Sequence, residues 1–301
     1  GGLMKKIYLI LALLLLTVFT YAETSGENGF QMLRIVTGAD LAAQGGTGSL
    51  YSRSAFGFLQ NAAANLITRN QVISMTQNYW IFDTKLNSMA YSNGKGKTSF
   101  SIAYRYLDYG KIDNRDEVGT IIGEFHPLDL SLSVNFAYRI NPDHYVGITA
   151  NGIYEKIDTS SSLGASFDLG YIYLTNVKNL KLTAALKHLG KTSKMNAEEI
   201  DLPVTAEFSL ADDFQINSVI LFSEIKAVKY FDDDRLRAVA GVGIRPVEKL
   251  DLRLGYKFNY DSEDISFGIG VNLNKINIDY TYIPFKYEIN DVHMVGINYI
   301  F

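Results

Sequence analysis

From Leu128 the chain alternates strictly. Leu128, Leu130, Leu132, Val134, Phe136, Tyr138 and Ile140 fall on one face, and Asp129, Ser131, Ser133, Asn135, Ala137 and Arg139 on the other. A period of two marks a β-strand with one apolar face. The run is long against the five or six residues usual in soluble strands. The same pattern recurs. Phe100, Ile102, Tyr104 and Tyr106 oppose Ser99, Ser101, Ala103 and Arg105, and Leu252, Leu254, Tyr256 and Phe258 oppose Asp251, Arg253, Gly255 and Lys257. Leu180, Leu182, Ala184 and Leu186 alternate with Lys181, Thr183, Ala185 and Lys187, and Ile276, Ile278, Tyr280 and Tyr282 with Asn277, Asp279 and Thr281.

Fourteen strands are predicted, near 71–81, 85–93, 97–108, 128–140, 144–156, 162–175, 180–189, 203–210, 216–226, 236–245, 250–259, 264–273, 276–284 and 292–301. The second and ninth alternate weakly, which leaves a count of 12 to 16 open. Asn141-Pro142-Asp143 and Asn274-Lys275 read as tight turns, and the polar stretches 108–124 and 190–201 as longer loops. A soluble sandwich also alternates, with its apolar face inward. Strand length, and Tyr near the ends of many apolar faces, favour an all-β transmembrane antiparallel barrel of about fourteen strands. Its apolar face would meet lipid, its polar face would line a lumen, and the sheet would close so that every backbone group in hydrocarbon is paired.

The N-terminal part follows other rules. Lys5 and Lys6 precede an apolar run over 7–19 and then Thr20-Tyr21-Ala22. That is the layout of a secretory signal peptide, with cleavage expected after Ala22. The run is short for a membrane-spanning anchor, the other reading. Met4 reads as the start, with residues 1–3 an upstream extension. The expected organisation is a signal peptide over 1–22, an N-terminal segment over 23–70 and a barrel over 71–301, placed in the outer membrane. Within 23–70, Ala55, Phe58, Leu59, Ala62, Ala63, Leu66 and Ile67 have helical spacing. A short helix over 54–67 is therefore expected as a hatch in the lumen, or else on the rim. Phe56, Phe58, Leu59, Asn61 and Leu66 are the candidate hatch and ligand-contacting residues.

Composition removes several functions. The chain of 301 residues has no cysteine, hence no disulfide, thiolate metal site or cysteine nucleophile. A net charge of −4 does not suit a nucleic-acid binder. His126, His144, His188 and His293 are far apart, and His188 and His293 follow the apolar face, as interface residues would. Gly94-Lys95-Gly96-Lys97-Thr98 lacks the first glycine and the following helix of a P-loop. Asp232-Asp233-Asp234 lacks the Gly and Glu of an EF-hand. No catalytic residue, metal or cofactor is expected. The lumen-facing set carries both signs, among them Arg105, Asp129, Glu155, Asp168, Lys187, Glu207, Arg253 and Asp279. A mixed lining suits a filled barrel as well as an open pore.

Two stretches resemble known sequences. Val295, Ile297, Tyr299 and Phe301 share one face of the last strand. They resemble the C-terminal signal read by barrel-assembly machinery. Phe30-Gln31-Met32-Leu33-Arg34, Ala42-Ala43-Gln44-Gly45-Gly46 and Gln60-Asn61-Ala62-Ala63 resemble the opening of the PorV/PorQ family, with its Phe-x-x-Leu start, Leu-Gly-Gly turn and Asn-Pro-Ala hatch motif. Gln44 stands where that family has Leu, and Ala62 where it has Pro. Tyr109-Gly110, Asp116-Glu117, Gly119, Gly123 and Phe125 resemble the PorQ branch, and the resemblance runs from Phe30 to the end. It implies a fourteen-stranded outer-membrane barrel similar to the FadL transporters, and partner or cargo docking in type IX protein secretion. In that system the PorV type receives the C-terminal signal of cargo, and PorQ belongs to the cell-surface attachment complex. The partners so implied are outer-membrane lipid, the assembly machinery, and secretion components or cargo. The alternative is a FadL-like channel for hydrophobic solutes.

Overall fold

A computed structural model of the chain describes residues 29–68, 71–195 and 200–301. The expected signal peptide lies outside the described residues. The strands are β1 (Gln71–Tyr79), β2 (Lys85–Lys95), β3 (Thr98–Asp108), β4 (Ile112–Arg115), β5 (Ile121–Phe125), β6 (Leu128–Arg139), β7 (His144–Ile157) and β8 (Ser160–Leu174). They continue with β9 (Lys181–Thr192), β10 (Thr205–Ile216), β11 (Val219–Tyr230), β12 (Leu236–Val247), β13 (Leu250–Phe258), β14 (Ile265–Leu273), β15 (Ile276–Ile283) and β16 (Val292–Ile300). All but β4 and β5 form one closed antiparallel barrel, fourteen strands in which β3 pairs with β6 and β1 with β16. Closure runs in register from Val72↔Ile300 to Tyr79↔His293, so no sheet edge is left in the ring.

The alternation that defined the strands sets their two faces. Leu132, Val134 and Phe136 are exposed on the outside of β6, while Ser131, Ser133 and Asn135 are buried inside. Among the described residues no helix is long and apolar enough to cross a membrane. One end of the barrel has short turns, such as Gly96 between β2 and β3 and 274–275 between β14 and β15, and both ends of the sheet ring meet there. The other end carries the longer loops. The stretch after β3 that reads as a polar loop is a β4–β5 hairpin, paired only with itself and exposed along its length.

Residues 30–68 fill the barrel. The expected single helix over 54–67 is instead two pieces, a 3-10 turn Ala55–Leu59 and a helix Ala64–Thr68, separated by turn and irregular backbone at Gln60–Ala63. Two more short pieces, Gln31–Arg34 and Ala39–Ala42, precede them. Pieces of four or five residues are too short to hold themselves. The wall holds them: Ala55 N donates to Ser74 Oγ (2.8 Å), Asn135 Nδ2 to Ala62 O (2.9 Å), Ser266 Oγ to Ala43 O (3.1 Å) and Thr281 Oγ1 to Ala39 O (2.5 Å). Gly45, Gly46 and Gly48 sit at φ +67°, +94° and +81°, left-handed values that let the segment turn back on itself within the lumen.

Candidate functional site

The loop end opens into a vestibule of about 770 Å³ between the N-terminal segment and the strand ends. One wall is apolar, made by Met32, Ile35 and Val36 of that segment with Trp80, Ile81, Leu107 and Ile283 of the barrel. Trp80 meets Phe285 edge to face, ring centroids 5.6 Å apart. The opposite wall is basic and aromatic. Tyr230 lies between two guanidiniums, Arg34 at 4.0 Å and Arg237 at 4.4 Å from its ring centroid. Lys257 sits 5.1 Å from the Tyr260 ring.

Those cations are tied down by the loop carboxylates. Arg34 pairs with Asp232 at 2.6 Å, Arg235 with Asp261 at 2.7 Å, Lys257 with Glu263 at 2.5 Å, and Arg237 with Asp233 through both oxygens. Asp232 and Asp233 of the Asp232-Asp233-Asp234 run thus supply anions to arginines, and no cluster of metal-ligating side chains occurs among the described residues. Tyr109 donates to Asp129 Oδ2 at 2.9 Å; burial first, and then that carboxylate, hold its hydroxyl far above the usual range.

Below the vestibule the lumen is packed. Asp40 accepts from Ser52 Oγ (2.5 Å) and Ser54 Oγ (3.0 Å), which folds the segment onto itself. Arg253 bridges Asp251 (3.0 Å) and Asp279 (2.6 Å), and Arg245 reaches Asp251 at 2.6 Å. Glu224 accepts from Gly48 N at 2.7 Å, and Lys226 donates to Gly46 O at 2.7 Å. The mixed-sign lining is therefore largely paired, as buried charge must be to avoid a heavy desolvation cost.

The hatch candidates separate. Phe56 and Phe58 are buried with Leu41, Val72, Ala90 and Ala103, and pack the segment against the wall. Leu66 packs with Leu50, Tyr145 and Ile172. Asn61 Nδ2 donates to Tyr171 O and Ala184 O, a tie to β8 and β9. Leu59 alone of the five borders one of the two cavities described, a pocket of about 50 Å³ beneath the vestibule. Val295, Ile297, Tyr299 and Phe301 lie exposed on the outside of the barrel end.

His188 corrects an expectation. It is buried, not at a lipid interface: a bulge between Phe167 and Leu169 shifts the β8–β9 register, and both Lys187 and His188 end up inside. Its N–H donates to Asp168 Oδ1 at 2.7 Å. His293 does face outward, bonded to Tyr280 Oη at 2.7 Å. Sequence reasoning missed the vestibule residues Trp80, Tyr230 and Tyr260. Their one signal is position: each stands where alternation stops, at the end of a strand.

No protein-family model matches the chain, and no curated protein matches it. Solved structures do. The toluene transporter TodX of Pseudomonas putida aligns over 88% of this chain and 98% of its own, with a TM-score of 0.61 at 12% identity. A Pseudomonas aeruginosa FadL homologue aligns over 87% and 98%, with a TM-score of 0.57 at 10% identity. At such identities the likeness is one of fold: this chain has the closed-barrel architecture of FadL-family outer-membrane proteins.

Proposed function

We propose that the protein is an outer-membrane channel of FadL-like build that admits small hydrophobic solutes through the loop-end vestibule, with residues 30–68 as its plug. The observation that carries this reading is the vestibule itself. It has the size of a pocket for a small molecule, it has a continuous apolar wall on one side, and it opens above a lumen closed by that segment. The fold likeness to a toluene transporter and to a FadL homologue supports it. In that orientation the short turns face the periplasm and the long loops the exterior, as is general in such barrels.

Trp80 is the one tryptophan of the chain and lines the vestibule, so its fluorescence reports occupancy directly. Titrating the purified barrel with toluene should quench or shift Trp80 emission saturably, and Ile81→Glu with Leu107→Glu should abolish the change. A linear, unsaturable response that the double variant retains would remove the vestibule as a solute site.

Docking of a secretion partner has one observation in its favour, the β4–β5 hairpin. It projects from the loop end with Val118, Ile121 and Ile122 exposed and two unpaired edges. Replacing 114–123 by a short Gly-Ser link, which leaves the vestibule's Ile112 in place, should abolish partner capture if that reading holds, and leave toluene binding intact if the vestibule acts alone.

A further inference from the structure

We infer that the barrel interior holds a small oxyanion at Arg105, in the pocket beneath the vestibule. Arg105 projects inward from β3 and is 3% exposed. Its guanidinium makes one hydrogen bond among the described residues, Nη2 to Ser131 Oγ at 3.1 Å, and Nε has no acceptor. A guanidinium carries five N–H donors in a planar fork that fits oxyanions. Nε, buried without an acceptor, is costly as it stands, and the fork on the pocket wall has donors to offer an anion.

The pocket supplies the place. It measures about 50 Å³, room for a group of a few heavy atoms and far too little for the solutes that the vestibule could take. Arg105, Lys187, His188 and Lys226 border it, with Glu207 the one nearby carboxylate on its wall. Glu207 is already shared by Lys187 (2.8 Å) and Lys226 (3.0 Å), so two ammonium groups divide one anion. The next carboxylates, Asp168 and Glu224, face the cluster but are engaged elsewhere. Asp168 takes the His188 amide and Asn151 Nδ2, and Glu224 takes the Gly48 amide. A phosphate, sulfate or comparable oxyanion would accept from Arg105 and from Lys187 or Lys226 together.

This site does not depend on the transport reading, because a barrel that conducts nothing would hold the anion equally well. The oxyanion reaches it either free from solvent or as the headgroup of an amphiphile whose tail stays in the vestibule. Arg34, Val36, Tyr230 and Tyr260 border both cavities, so the two adjoin.

The test is calorimetric titration of the full barrel in non-ionic detergent at fixed ionic strength, with inorganic phosphate and, separately, dodecyl phosphate. Saturable binding of phosphate shows a free anion, and saturable binding of dodecyl phosphate alone shows a headgroup. In either case Arg105→Gln should weaken binding about tenfold or more, the usual worth of a charge-assisted bond. Arg105→Lys should weaken it less, and Lys95→Gln at the exposed turn end should change nothing. If Arg105→Gln does not fold, selenate soaked into wild-type crystals gives the answer, an anomalous peak beside the guanidinium being required. Absence of saturable binding for both probes, binding indifferent to Arg105, or a soaked crystal with no such peak would overturn the inference and leave ordered water as Arg105's partner.

Discussion

Single residues on neighbouring positions of β6 do opposite work. Val134 is 40% exposed to the outside midway along the strand, while Asn135 is fully buried and donates to Ala62 O, Ile148 O and Thr149 Oγ1. Val134→Arg should destabilise the barrel by about 2–4 kcal/mol, the cost of a cation at the bilayer midplane. Asn135→Ala should spare the strand ladder and loosen the plug beside Ala62. Reversible unfolding from lipid vesicles measures the first effect, and hydrogen exchange of residues 55–66 the second. At the rim, the hydrogen bond from Arg235 holds the Asp261 carboxyl below the usual carboxylate range. A depressed carboxylate contributes stability that is present above its unfolded value, about 3.9, and is lost as pH falls through the folded value. The Asp261 side-chain carbon signal should therefore titrate below about pH 3.9, and Arg235→Gln should move its midpoint upward. An unmoved midpoint would detach Asp261 from that bond.

At the scale of elements, the plug and the wall fit by subtraction of side chains. Gly147 and Gly170 face the Asn61–Ala63 backbone so closely that a Cβ on either would land on it; Gly241 and Gly255 do the same for the Gln44–Thr47 turn. Gly147→Leu should displace the plug and leave the strands paired, read as raised proteolysis within 55–68 with unchanged strand signal in circular dichroism. A plug that stays protected would mean β7 yields instead. This fit marks the boundary of what the sequence could disclose. The barrel strands were legible, the second and ninth least clearly, because an apolar outer face and a polar lumen impose a period of two, as in β6 and β13. The β4–β5 hairpin was not, because neither of its faces is buried and nothing selects an alternation. The helical reading of 54–67 held at its two ends and broke between them for the reverse reason. Ala55 to Ala64 are buried on every side, so spacing no longer distinguishes faces, and bonds to the wall at Ser74 and Asn135 decide the path. His188 was misplaced by a bulge that no pattern in a single strand reveals. In the candidate site none of the vestibule's apolar residues was among the five candidates, and only Leu59 reached a cavity at all, since a wall contact and a ligand contact ask for the same side chains.

As a whole molecule the protein is a ring whose pairing owes little to what fills it, and that separation can be tested. The strand ladder closes through β1 and β16. The polar wall at the turn end keeps most of its partners without the plug: Arg253 with Asp279, Arg245 with Asp251, and Asn298 with Asp279 are all bonds between strands. Removing residues 30–68 would release several wall groups, among them Glu155 and Glu224, which lose the Phe30 and Gly48 amides, Lys226, which loses Gly46 O, Asp232, which loses Arg34, and Asp251, which loses Arg53 at 3.7 Å but keeps Arg245 and Arg253. Deleting 30–68 should therefore yield a folded barrel that still migrates anomalously on unheated gels, and whose conductance in planar bilayers rises from a closed baseline. Both signs line the emptied wall, so selectivity between small cations and anions should be weak; Arg253 and Lys187 stand against Asp279 and Glu207. The fit of wall glycines to the plug backbone adds a second requirement, that the isolated 30–68 peptide close the channel again when supplied from the turn side, since the segment joins β1 there. A deletion barrel that remained closed would move the barrier from the plug to the charged wall itself. One that failed to fold would show that the glycine-lined wall needs its filling to keep its shape.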